Sequence, residues 1–188
     1  MDAPSNNMGA VETSQSRKIA TLAILTSTAL STNYLLIGVS NIKLMDLIVF
    51  VSGFLFGPGF GLSLGILIWL IYGTLNPYGF SLPILAACMM GEALYGLSGG
   101  FIARTSDFAY NDWTADPRMG IIGFIITFIY DLFTNLVSAL TVGIPITVAL
   151  ISGIPFALVH EVSNAFFFAI GVPSLVRGVN RFLGGFHE

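Results

Sequence analysis

From Leu47 to Gly91 the chain carries no charged residue, and Ile19–Ile42, Gly120–Tyr130 and Leu132–Val159 are uncharged as well. About 20 apolar residues are enough to cross a bilayer as a helix, and several of these runs reach that length. A soluble domain is roughly 25% charged; here the figure is 9%, with a mean hydropathy of +0.86. There is too little charge to cover a water-facing surface. Continuous apolar runs, rather than ten-residue alternating ones, exclude a membrane β-barrel. The expected fold class is all-α, a polytopic membrane protein.

The number of spans turns on FLFGPGFGLSLG, residues 54–65, which is either a kink in one helix or a turn between two. Loops placed at Gly, Pro, Asn and Asp clusters give spans over 19–39, 44–57, 59–75, 82–103, 119–142 and 146–174. Lysine and arginine concentrate on the cytoplasmic side. With six spans and the N-terminus inside, Arg17, Lys18, Arg104, Arg118, Arg177 and Arg181 share that side and Lys43 alone lies outside. With five spans, four of those arginines move outside. Six transmembrane helices with both termini cytoplasmic is therefore the expected topology, and 54–65 is expected to be a turn. Pro58 disfavours helix at Gly57, and flanking glycines permit a tight reversal. Span 44–57 is short, about 21 Å at 1.5 Å per residue against a hydrocarbon core of about 30 Å.

The transmembrane domain is expected over 17–181. Residues 1–16 read as a disordered cytoplasmic N-terminus and 182–188 as a cytoplasmic tail. The Arg17-Lys18 pair before an apolar run imitates a signal peptide, but the run is long for a cleaved one and more spans follow. The inner loop Thr105–Pro117, with three aspartates and Trp113, reads as a solvated connector.

Ionisable residues inside spans are expensive and point to function. Glu92, Asp131, His160 and Glu161 fall at similar depths on the fourth, fifth and sixth spans. Helical spacing joins Tyr95 to Glu92, Asn135 to Asp131 and Asn164 to His160. Substrate-binding residues are accordingly expected at Glu92, Tyr95, Asp131, Asn135, His160, Glu161 and Asn164. A buried network that only fixes helix register is the alternative. Asp46 is expected near the outer surface, paired with Lys43. Acids outnumber the one histidine among them, which favours a cationic or amine-bearing ligand.

Small residues let helices approach closely in lipid. Ala23, Ser27 and Ser31 form one such stripe, suited to packing or to a separate subunit. Gly57/Gly61/Gly65 and Gly96/Gly100 are expected to pack within the chain.

Several chemistries are excluded. HEVSN (160–164) has half of the HExxH zinc pattern, with Asn164 at the second ligand position. No GxxxxGK[ST] loop occurs, and no basic run with interleaved aromatics supports nucleic-acid binding. Ser163 beside His160 is a weak hydrolase signal. The lone Cys88 excludes an intramolecular disulfide. No cofactor or metal is expected, and no enzymatic activity.

KLMDLIVFVSGFLFGPGFGLSLG, MMGEALYGLSGGFIAR, YDLFTNL and IPFALVHEVSNAFFFAIGVPSL resemble spans two to six of the substrate-binding membrane subunits (S components) of energy-coupling factor (ECF) transporters. The resemblance covers about Arg17–Arg181. It implies capture of a vitamin or similar micronutrient from outside a prokaryotic plasma membrane. Delivery would need a transmembrane coupling subunit and two cytosolic ABC ATPases. It also implies that Ala23, Ser27 and Ser31 face the coupling subunit, with serines where alanine is usual. Family ligands sit in the outer half, which fits Glu92, Tyr95 and Asn135 better than Glu161 and Asn164. Nickel and cobalt members begin Met-His, whereas this chain begins Met-Asp-Ala. The alternatives are a membrane scaffold of cell-shape type and, less favoured, an intramembrane enzyme.

Overall fold

A computed structural model of the chain describes residues 15–75, 77, 79–105 and 114–184, the last three as backbone only. The expected disordered segment up to residue 14, Asn76 and Tyr78 of the NPYGFS connection, Trp113 with most of its loop, and the tail from 185 including His187 lie outside the described residues.

Six helices follow one another: α1 (Gln15–Leu35), α2 (Met45–Phe56), α3 (Pro58–Leu75), α4 (Leu82–Thr105), α5 (Pro117–Val142) and α6 (Ile146–Gly184). Among the described residues there is no strand. α3, α4, α5 and α6 are each long and apolar enough to cross a membrane, so the chain is a helical membrane protein.

The stretch 54–65 is a turn. Gly57 alone separates α2 from α3, at φ 97° and ψ 160°, in the region that favours glycine. Its N–H donates to Gly53 O at 2.9 Å, closing α2, and its carbonyl accepts from Gly61 N at 3.2 Å, opening α3. Pro58 takes the first position of α3, where a missing N–H costs nothing. α5 starts by the same logic. Asp116 caps it by accepting from Arg118 N at 3.0 Å, and Pro117 follows the cap.

Three boundaries differ from expectation by four residues or more. The first helix begins at Gln15, not at 19. It ends at Leu35, not at 39, and 36–44 forms irregular turns with Asn41 at φ 56°. The last helix continues to Gly184, ten residues beyond the expected 174, despite Pro155 and Pro173. Proline at 173 cannot donate to the carbonyl of residue 169. That carbonyl instead accepts from Asp116 N at 2.8 Å, so the helix persists because the freed acceptor has a partner. At 1.5 Å per residue α6 is about 58 Å long, well beyond one hydrocarbon core.

Backbones touch where α2, α3 and α4 meet. A β-carbon on Gly61 would fall 2.7 Å from the α-carbons of both Gly53 and Gly96, and one on Gly65 would fall 2.9 Å from the Glu92 backbone. The stripes at Gly61/Gly65 and Gly96/Gly100 are thus packed inside the chain, as close association in lipid requires. α5 lies along α6, with Gly123 under the ring of Phe168. Phe50 of α2 packs on Phe168, ring centroids 4.9 Å apart, and joins the two groups of helices.

The depth of α2 sets up the site. Its 12 residues span about 18 Å, too short for the membrane core, and eight of them are buried. Asp46 in its first turn meets His160 and Asn164 of α6, while Glu92 and Asp131 lie mid-way along α4 and α5. The helix therefore begins inside the bundle. The segment 36–44 brings the chain down to that depth, held by Asn41 Nδ2 donating to Phe156 O at 3.1 Å. Irregular backbone inside a membrane protein is tolerated where it is buried or lines a cavity. Here it lines one.

Candidate functional site

Where α2 stops short, a cavity of about 470 Å³ lies between the 36–44 segment, α3, α4 and the α3–α4 connection. Its walls include Asn41, Lys43, Trp69, Tyr72, Ser81 and Cys88. A second cavity of about 230 Å³ shares Asn41, Lys43 and Tyr72 and reaches Asn33 and Phe156. Lys43 Nζ stands 5.5 Å from the centre of the Trp69 ring and 5.6 Å from that of Tyr130. Both rings offer the ammonium their negative faces.

A buried polar network begins beside this cavity. Trp69 Nε1 donates to Glu92 Oε2 at 3.0 Å, one helical turn beyond Cys88. Glu92 Oε1 is buried with no hydrogen-bond partner among the described residues. Asp46 Oδ2 lies 2.7 Å from His160 Nε2 and also accepts from Asn164 Nδ2 at 2.7 Å. The other ring nitrogen, Nδ1, lies 3.0 and 3.1 Å from the two oxygens of Asp131. Asn164 and Tyr95 both donate to Thr127 Oγ1 at 2.9 Å, and that hydroxyl donates to Gly123 O at 2.7 Å. Five helices, α2 to α6, contribute side chains.

Hydrogen-bond accounting fixes part of the chemistry. A ring nitrogen and a carboxylate oxygen at such distances share a proton, so the Asp46–His160–Asp131 chain holds at least two. Two carboxylates and one imidazole with two protons carry a net charge of −1. Lys43 supplies a nearby positive charge, and buried charges persist only when paired and hydrogen-bonded. Both ring nitrogens of His160 face carboxylates, which leaves none to activate a nucleophile. Ser163 Oγ donates to the His160 carbonyl instead. The aspartates approach opposite edges of the ring, and no cluster of three metal-ligating side chains occurs among the described residues.

The residues expected from sequence separate into two places. Glu92, Tyr95, His160 and Asn164 are buried in the network with Asp131 at its edge. Asn135 and Glu161 are on the other side of Asp131, in a groove between α5 and α6. Asp46 corrects the expectation of a surface acid paired with Lys43: it is 1% exposed and its partners are His160 and Asn164. The cause is the depth at which α2 begins. Trp69 and Thr127 were missed because an apolar helix face gives them no pattern. The shortness of α2, with an acid in its first turn, was the available signal for Asp46.

Ala23, Ser27 and Ser31 are all exposed and line a shallow groove along α1. Ser27 Oγ donates to Ala23 O at 2.9 Å, so its hydroxyl is satisfied within the helix.

The fold and site define a helical membrane protein with an internal cavity over a buried carboxylate–imidazole network. No protein-family model matches the chain, and no curated protein or solved structure matches it.

Proposed function

We propose that the chain is the substrate-capturing membrane subunit of an ECF-type importer, taking a vitamin-like small molecule into the cavity above α2. In this reading it lies in a prokaryotic plasma membrane with six spans and both termini cytoplasmic. The cavity opens outward, and the exposed Ala23/Ser27/Ser31 stripe meets a coupling subunit that carries two ATPases. The observation that carries the reading is the cavity itself. It falls within the usual 300–1,000 Å³ of ligand sites, and a short helix, α2, begins at mid-bundle beneath it after an irregular segment that lines the cavity. Trp69 and Tyr72 give it stacking surfaces, and Lys43 gives it a positive charge.

Lys43 modifies the ligand preference. His160 is not the only counter-charge, so a purely cationic ligand is not what the walls favour. A planar molecule with an aromatic face for Trp69 and an acceptor for Lys43 suits the walls. The test is calorimetric binding of a vitamin panel to the purified protein in nanodiscs, with native mass spectrometry to identify any co-purified molecule. One compound should bind saturably, with at least ten-fold loss in Trp69→Ala and in Lys43→Ala. Absence of saturable binding across the panel would reject the reading.

One observation favours the scaffold alternative: Asp46, Tyr95, Thr127, His160 and Asn164 bond to one another and do not line the cavity. A network of that kind can serve only to fix helix register. Normal assembly and no ligand would mark that role.

A further inference from the structure

The groove between α5 and α6 is a different environment from the cavity above α2 and shares no lining residue with it. Its volume is about 280 Å³. Phe128 and Leu132 of α5, and Ile151, Ile154 and Leu158 of α6, form its rim and are exposed on the outside of the bundle. In a membrane that rim faces hydrocarbon. Three polar side chains lie among these apolar ones: Asp131, Asn135 and Glu161. Asp131 is bonded to His160. Asn135 is directed across the groove at α6, where its Nδ2 lies 3.3 Å from the position of a β-carbon on Gly153.

Glu161 has no satisfied role. Only 5% of its surface is exposed, and none of the hydrogen bonds or ion pairs among the described residues engages its carboxyl group. The charged groups that face it are Asp131, of its own sign, and the His160 ring. That ring already shares a proton with a carboxylate on each side. A carboxyl that is charged and unpaired inside a bilayer is costly, and among the described residues no lysine or arginine faces it. Apolar walls, an amide, the unbonded carboxyl of Glu161 and a second acid that shares its proton with His160 are complementary to a protonated amine on an apolar tail.

We infer that the α5–α6 groove binds an amine-bearing amphiphile drawn from the bilayer, its ammonium between Glu161 and Asp131 with Asn135 as an accepting amide, and its chain along Phe128 and Leu158. The site needs the chain to be embedded in a membrane and does not depend on the importer reading. The occupant enters sideways from lipid, whereas the cavity above α2 is filled from its own end of the bundle. Asp131 touches both regions, so the groove and the buried network share one acid.

The probe is a diazirine-bearing octylamine, with the matching diazirine-bearing octanol as its neutral counterpart, photolysed with the protein in nanodiscs and mapped by peptide mass spectrometry. The amine should label peptides containing 128–136 or 150–161 saturably, and the alcohol at least ten-fold less. Glu161→Gln should lower amine labelling about ten-fold. Ala157→Phe, which fills the groove without changing its charge, should abolish labelling yet leave vitamin binding above α2 unaltered. Equal labelling by amine and alcohol, or undiminished labelling in either variant, overturns the site. If Glu161→Gln does not yield monodisperse protein, Ala157→Phe and the amine–alcohol ratio still decide. Loss of vitamin binding in Trp69→Ala with amine labelling intact would separate the two sites.

Discussion

The α2–α3–α4 group and the end of the α5–α6 pair around Gly153 use small residues and polar residues in opposite ways. In the first group glycines bring backbones into contact, with Gly53, Gly61 and Gly96 leaving no room for a side chain. Its in-membrane acids are enclosed, Asp46 by His160 and Asn164 and Glu92 by the Trp69 indole. In the pair, Gly120 lies against the Ala165 backbone, but Gly153 faces an amide, and there Asn135 and Glu161 open on a groove. Rigid packing on one side and an unfilled polar groove on the other indicate where the molecule is built to hold its shape and where it can receive something.

The largest effect is expected where the two regions join. Replacing His160 with leucine leaves Asp46 and Asp131 buried without the proton-sharing ring between them. Loss of one partner from a buried ionic pair costs about 3–5 kcal/mol. Unfolding in mixed micelles should show a loss of that size. Asp46→Asn with Asp131→Asn in the His160→Leu background should recover part of it, because no charge is then stranded. If His160→Leu alone is as stable as the parent, the network does not bind the two regions together.

Next in size is a test of the glycine contact. Gly96→Ala places a methyl group against the Gly61 backbone, which cannot rotate away as a flexible side chain would. Overpacking typically costs about 1–3 kcal/mol, and this contact belongs at the upper end. The same micelle assay measures it. A neutral result would mean that α3 and α4 separate easily, contrary to the contrast drawn above.

Much of this arrangement was legible beforehand, for reasons tied to particular residues. Uncharged runs marked the helices, and the Gly57-Pro58 turn was read from the distribution of lysine and arginine, with local backbone chemistry that permits it. Four-residue spacing placed Gly61/Gly65 and Gly96/Gly100 on packed faces. Glu92, Tyr95, His160 and Asn164 were found because polar groups stand out against apolar sequence. Tertiary placement was not readable. Nothing local to Asp46 reveals that 36–44 descends into the bundle, so proximity to Lys43 suggested a surface pair. Similarly, spacing puts Asn135 on the face of Asp131 without saying which neighbour that face meets. The last helix outran its expected end because a distant N–H, that of Asp116, satisfies the carbonyl freed by Pro173.

Two mild substitutions sharpen the contrast. Tyr95→Phe removes one donor from Thr127 Oγ1, which still accepts from Asn164 and donates to Gly123. A single buried hydrogen bond contributes about 0.5–1.5 kcal/mol, and a loss of about 1 kcal/mol is expected in the micelle assay. Gly153→Ala should cost less still. The nearest atoms to its new methyl are the end of the Asn135 side chain at 3.3 and 3.4 Å, and a terminal amide can yield by a few tenths of an ångström. Stability should change by less than about 0.5 kcal/mol, as for substitutions that create neither cavity nor buried unsatisfied group. Octylamine labelling should weaken, because the amide moves. A Gly153→Ala penalty as large as that of Gly96→Ala would show that α5 and α6 are packed as tightly around Gly153 as α3 and α4 are around Gly96, and the groove would then be too rigid to admit a ligand.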